Sequence, residues 1–310
     1  MAKANLSRTL VVVTVVVMAV AVALFGVGLR SAETQTTAPT YYKVEDLGTL
    51  GGSHSWASAI NDSGQIVGYS YLAGDQNNHA FLYKDGKMTD LGTLGGTSSE
   101  AKGINISGQV VGWSDNSSGE RRAFLYDSAN GMKDLNDSIP ADSGGTIEEA
   151  TAINSNGEIA ATMWPDSMRN LCSPYAETWD FHTALVLRPA TTATYEVQEL
   201  GTLGGEYSYA TGINDSGQVV GRSMTSGCWE QPFLYDSATK QMQGLAGSQA
   251  YGINASGKVV GYTEDWTLYD WACTNYDCHR AFIYDSVTKQ MQVLGTLGTG
   301  ATYGTIGSEA

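Results

Sequence analysis

Basic residues are scarce in this chain. It has 17 Lys plus Arg against 32 Asp plus Glu, a formal charge of −15 over 310 residues. Lys3, Arg8 and Arg30 fall in the first 32 positions, which hold no acid, so the remainder carries 14 bases against 32 acids, or −18. A body that acidic repels phosphate backbones and anionic lipid surfaces, which argues against nucleic acid as a partner. Catalytic signatures are missing as well: there is no G-x-S-x-G, no H-E-x-x-H and no phosphate-binding loop. The four histidines (His54, His79, His182, His279) occupy variable or repeat-equivalent positions, and His79 stands where Arg122 and Arg280 stand in other units. Cys273, Cys278 and His279 lack a fourth ligand at a familiar metal spacing. "INDSG" (60–64) lacks the alternating acids and distal Glu of a calcium loop. No catalytic residue, metal or cofactor is therefore expected.

Glycine, in contrast, is plentiful. Its 37 copies, spread along the chain, call for many tight turns and an all-β body. The exception is the N-terminus, where "LVVVTVVVMAVAVALFGVGL" (10–29) runs twenty residues without a charge. That is longer than the apolar core of an ordinary signal peptide and long enough to span a bilayer as a helix. Lys3 and Arg8 ahead of it should stay in the cytoplasm, sending the rest outward. Residues 1–30 thus read as a signal peptide or signal anchor, 31–40 ("SAETQTTAPT") as a short flexible linker, and 41–310 as an exported body, extracellular or periplasmic. Export makes Cys172, Cys228, Cys273 and Cys278 disulfide candidates, with three pairings open.

The body repeats itself. "DLGTLGG" stands at 46–52 and again at 90–96, with "ELGTLGG" at 199–205 and "VLGTLGT" at 293–299. A second phrase recurs as "AINDSGQIVG" (59–68), "GINISGQVVG" (103–112), "AINSNGEIAA" (152–161), "GINDSGQVVG" (212–221) and "GINASGKVVG" (252–261). A third follows each time, from "HAFLY" (79–83) to "RAFIY" (280–284). Short β-branched and aromatic runs between Gly, Asp and Ser read as strands, and the N-x-S-G segments as turns. Four strands per unit emerge: A around "A-x-G-I-N", B "GQVVG", C "AFLY" and D "M-x-D-L-G-T-L". Strand D is expected over 88–94 and 290–297, with the Gly pair after it turning the chain into the next unit. Ala57, Ala101, Ala150, Ala210 and Ala250 are followed two residues on by Ala59, Gly103, Ala152, Gly212 and Gly252. On strand alternation both rows point to one side, toward a crowded axis. Radially repeated four-stranded units of this length describe a β-propeller of about five blades. A sixth D-like strand is expected at 42–50, and the third unit, with "ATMW" and "TALVL", is expected to be the least regular. Residues 298–306 ("GTGATYGTI") resemble the start of a sixth strand A.

These phrases, in this order, resemble the HAF-type extracellular repeat family of bacteria over roughly residues 41–300; "HAF" itself stands at 79–81. The resemblance implies an exported repeat protein and carries over no activity or catalytic residues.

Variation concentrates in the B-to-C connections, at 162–182, 222–231 and 262–280. These hold Trp164, Trp179, Trp229, Trp266 and Trp271, with Tyr269 and all four cysteines. Aromatics gathered on one face of a rigid scaffold, with acids between them, suit stacking on sugar rings. The expected function is a binding or surface-interaction module for a polysaccharide or envelope protein. Two alternatives stand beside it: a glycan hydrolase or lyase using loop carboxylates such as Asp180 and Asp265, and a purely structural surface protein whose aromatics pack on one another.

Overall fold

The computed structural model describes residues 43–165, 182–190, 194–264 and 279–294. The first blade comprises β1 (Gly51–Ile60), β2 (Ile66–Leu72), β3 (Asn78–Lys84) and β4 (Lys87–Asp90). The second comprises β5 (Gly95–Ile104), β6 (Val110–Asn116), β7 (Arg121–Asp127) and β8 (Gly131–Asp134). A short 3-10 turn, Leu135–Ser138, leads to the third: β9 (Gly145–Ile153), β10 (Ile159–Pro165), β11 (Thr183–Pro189) and β12 (Tyr195–Glu199). The fourth is β13 (Gly204–Ile213), β14 (Val219–Thr225), β15 (Glu230–Asp236) and β16 (Gln241–Gly244). The fifth is β17 (Gln249–Ile253), β18 (Lys258–Glu264), β19 (His279–Asp285) and β20 (Gln290–Val293). Each is a four-stranded antiparallel meander, and together they form a five-bladed all-β propeller. The third unit, expected to be least regular, keeps all four strands. Residues 1–42, with the apolar segment and linker, lie outside the described residues. Among the described residues no helix is long and apolar enough to cross a membrane.

The N-x-S-G phrase is a turn built by its asparagine. In the second blade Asn105 Oδ1 accepts the backbone N–H groups of Ser107 and Gln109 at 3.1 and 3.0 Å. Gly108 donates back to the Asn105 carbonyl at 3.0 Å with φ +78°, a conformation open to glycine at little cost. The side-chain carbonyl is thus spent on the turn. The other half of the amide does something the sequence does not announce. Asn61 Nδ2 donates to the Asn105 carbonyl of the next blade at 2.9 Å, and Asn105 to Asn154 at 3.2 Å. Asn154 then donates to Asn214 at 3.0 Å and Asn214 to Asn254 at 3.1 Å. One side chain closes its own turn and ties its blade to the next.

The inner strands also correct an expectation. The register shifts between Ala101 and Gly103 (β5) and between Ala210 and Gly212 (β13), so each strand carries a bulge. An extra residue inverts the alternation, and the two small-residue rows face opposite sides. In the third blade Ala150 packs with Val111 and Ala123 of the blade before, whereas Ala152 packs with Ala210 and Val219 of the blade after. Gly112 sits opposite the second-blade bulge, where a Cβ would meet the Glu100 carbonyl oxygen at 2.0 Å. The glycine rows do bring inner strands close: a Cβ on Gly212 would lie 3.2 Å from Gly252 Cα.

The heptad is a connector more than a strand. Strand D ends at Asp90, and the Gly95–Gly96 pair already belongs to β5. Between them Asp90 accepts the Gly92 N–H at 2.7 Å, Leu91 is buried and donates to the Ala80 carbonyl at 2.9 Å, and Thr93 Oγ1 donates to the Gly96 carbonyl at 3.0 Å. Leu94 N–H then reaches Ser114 Oγ at 2.9 Å. The same links recur around Thr202 and Leu203. Each of the seven letters serves the crossing from an outer strand to the next inner one, where backbone groups would otherwise be left unpaired under the blades. The expected sixth D strand is absent: residues 43–49 form no strand.

Buried clusters lie between consecutive blades, from Val67, Ala80 and Phe124 at the first contact to Val220, Val259 and Phe282 at the last. Among the described residues the first blade has no such cover on its outward side. Ile60 is 66% exposed where Ile104, Ile153 and Ile213 are 8–9% exposed.

Replacing Asn214 separates its two tasks. Asn214→Asp keeps the turn acceptor but loses the donor, and is expected to cost about 1–3 kcal/mol in urea unfolding; Asn214→Ala should cost about 1 kcal/mol more. An Asp variant as stable as the parent would show that the cross-blade bond contributes nothing.

Candidate functional site

Gly95 pairs with Asn116 and Gly204 with Thr225, so the D-to-A connectors and the B-to-C turns share one face. On this face the structure assembles a row of rings. Trp164, near the end of β10, meets His182 edge-on with centroids 5.3 Å apart. His182 lies 5.1 Å from Tyr209, and Tyr209 lies 5.6 Å from Tyr207. The row therefore crosses from the third blade to the fourth.

Polar groups hold His182, Tyr209 and Tyr207. His182 Nε2 is 3.1 Å from Glu148 and Nδ1 is 3.0 Å from the Tyr209 hydroxyl. Arg222 lies over the Tyr209 ring at 4.4 Å and binds Glu230 at 3.0 Å. The Tyr207 hydroxyl donates to Glu230 at 2.9 Å. Burial first, and then this carboxylate, push the Tyr207 phenol well above its ordinary range. In the second blade Arg121 stacks on Trp113 at 3.9 Å, whose indole N–H donates to Glu100 at 3.1 Å.

A cleft of about 310 Å³ opens beside the row, lined by Glu120, Arg121, Arg122, Thr146, Glu148 and Trp164. One wall is the indole, and the rest are Thr146 and charged groups at the ends of two blades. Arg122 and Asn116 hydrogen-bond Glu120 and hold its carboxyl below the usual carboxylate range, so Glu120 offers an acceptor and not an acidic proton. Arg122 Nε is buried with no partner among the described residues. Another cleft of about 380 Å³, lined by Leu94, Asn116, Met132, Lys133, Asp134, Asp137 and Ser138, holds no ring.

Two of the six expected binding residues are described. Trp164 lines the cleft; Trp229 stands apart from the row, 63% exposed, its ring over Gly227. Trp179, Trp266, Tyr269 and Trp271 lie outside the described residues, as do Cys172, Cys273 and Cys278. Cys228 sits in the Thr225–Trp229 turn with φ +64°. His79, read as a structural polar position, pairs with Asp90 at 2.9 Å.

Sequence reading passed over Tyr207, Tyr209, Arg222 and Arg121. The signal was available. The residue after the B-strand glycine is Tyr69, Trp113, Arg222 or Tyr262 in four of the five units, and alternate positions in "YSY" (207–209) share one side.

A family model described as a protein of unknown function (DUF3466) matches residues 51–170, under half of the chain. No curated protein matches the sequence. Among solved structures, TolB from Acinetobacter baumannii is similar with 14% identity and a TM-score of 0.48; the match covers 74% of this chain and 52% of that one, so the chain spans about half of TolB's length. A gluconolactonase from Xanthomonas campestris gives 12% identity and a TM-score of 0.42, covering 79% of this chain and 77% of that one. The tricorn protease gives 8% identity and a TM-score of 0.43, covering 76% of this chain and 22% of that one.

In an ultraviolet pH titration, Tyr207→Phe should remove a phenol that ionises well above the ordinary tyrosine range. Glu230→Gln should move that phenol back down, because a nearby negative charge opposes phenolate formation. A titration unchanged by Glu230→Gln would detach Tyr207 from this network.

Proposed function

We propose that the protein is an exported binding module whose ring-bearing face holds a polysaccharide of the cell envelope or its surroundings. The carrying observation is the cleft beside Trp164, where one aromatic wall faces Arg121, Arg122, Glu120 and Glu148. Sugars present apolar C–H faces that stack on rings and hydroxyls that bridge charged donors and acceptors. His182 meets the indole edge-on and is itself held by Glu148 and Tyr209, which lowers the ordering cost of binding. Export rests on the apolar run at 10–29 and on the resemblance to extracellular repeats. The same reading makes Cys172 the partner of Cys228, as a bridge between the loops of neighbouring blades. A glycan-cleaving enzyme is the weaker reading, because the cleft carboxylates are both engaged, Glu120 by Arg122 and Glu148 by His182.

The test is a glycan array probed with the full chain and with Trp164→Ala. Loss of a stacking wall is expected to weaken retention about tenfold or more, equivalent to about 1.4 kcal/mol, while Trp229→Ala leaves it unchanged. Equal retention by Trp164→Ala and parent would remove the cleft from the binding site.

A further inference from the structure

The cleft beside Trp164 is one part of a longer row. Its volume, about 310 Å³, lies at the small end of ligand pockets, which run from about 300 to 1,000 Å³. A polymer segment therefore needs surface beyond it. Arg121 supplies the link, since it lines the cleft with Trp164 and also lies over the Trp113 ring at 3.9 Å. Trp113 donates its indole N–H to Glu100 at 3.1 Å. Burial first, and then that same Glu100 carboxylate, raise the Tyr69 phenol of the first blade. Tyr69 meets Tyr71 at 6.2 Å, and Tyr71 meets His54 at 5.9 Å. Joined to the rings around His182, the row runs from the first blade to the fourth.

The repeat explains why these rings share a rim. Tyr69 and Trp113 each follow the B-strand glycine, and Tyr71 and Trp164 stand three residues after Gly68 and Ala161. Positions one and three past that point share a side of the strand, and the repeated meander carries that side from blade to blade. Val67, Val111 and Ala160, earlier on the same strands, fill the contact between blades and are 0% exposed. Tyr69, Tyr71, Trp113 and Trp164 lie further along and stay partly exposed.

Charge narrows the ligand. Lys102 pairs with Glu100 at 2.7 Å, Arg122 with Glu120 at 2.6 Å and Arg222 with Glu230 at 3.0 Å, and Arg121 stands 4.0 Å from Glu149. An acidic sugar would have to displace a carboxylate from its base, in a chain already at −15. Sugar hydroxyls can bridge the same pairs as they stand.

Building on the glycan reading of the cleft, we propose that the row is one extended site for a neutral glycan chain. The Trp164 cleft holds one section of it, and the Trp113–Arg121 shelf is a second subsite for sugars further along.

Calorimetry on the full chain with ladders of two to six sugars tests this. Cello-, laminari- and chito-oligosaccharides are the neutral probes and oligogalacturonates the acidic one. A neutral ladder is expected to bind about tenfold or more tighter at six sugars than at two. Trp113→Ala should erase that gain, leaving six sugars within about threefold of two. Trp113→Phe, which keeps a ring there, should retain most of it. Arg121→Gln, at a side chain 44% exposed and so of little weight in the fold, should cut the gain by about threefold. Trp164-dependent binding that is already complete at two sugars would overturn the extended site and leave the cleft standing. So would a gain with length that is indifferent to both Trp113→Ala and Arg121→Gln. Tighter binding of the oligogalacturonates would overturn the neutral assignment. Binding of no ladder, or binding indifferent to Trp164→Ala, would take the glycan reading of the cleft down as well.

Discussion

The amide of one asparagine, repeated blade after blade, is the constraint on which the rest of the molecule depends. A carboxylate could build the same turn, but it has no hydrogen to offer the next blade. A glycine could make the bend, but it has neither group. Only Asn supplies an acceptor for its own turn and a donor for its neighbour's carbonyl from the same planar unit. Three of the five, Asn105, Asn154 and Asn214, are almost wholly buried, so an unmade bond there would leave a dry polar group, the costly outcome.

With the blades spaced from that end, the opposite end can vary. The bulges in β5, β9 and β13 share each inner strand between two interfaces, one small row on either side. Packing then fixes the strand from both flanks, and the variable residues lie beyond the bulge, between anchoring positions such as Ser99 and Ser208. That is where Tyr207, Tyr209 and Glu148 stand, and why Trp164 and His182 of one blade can meet the rings of the next. A rigid frame under a variable rim is the arrangement in which side chains are presented with little ordering cost on binding.

Much of the fold was legible because the repeats spell it out. Strand order, blade count and the N-x-S-G turn all follow from phrases that recur in register. The bulge was not legible, since Ala-x-Gly at positions 101–103 satisfies simple alternation; the extra residue appears only when pairing with β6 is seen. The D strand was drawn too long for a related reason, as "DLGTL" has strand-like composition while its backbone partners lie in two different blades. At the site, the loop tryptophans drew the eye, and Trp164 does line the cleft. Tyr207 and Tyr209 sit inside a regular strand, β13, where an aromatic reads as core. Only the neighbouring blade turns them into a surface row.

The heptad connector has a consequence for how this chain can be rearranged. Leu91 is bonded to the first blade and Leu94 to the second, while the Ser99 hydroxyl reaches Gly92 in the connector and Ala80 behind it. The border between two repeats is therefore bonded to both blades it joins, not a seam. The tip of the β3–β4 hairpin is different: Asp85 and Gly86, with positive φ, are exposed at the rim and serve no second blade. A circularly permuted version of this protein would open there, inside a blade, and the boundaries read from the repeated words are the last place to cut.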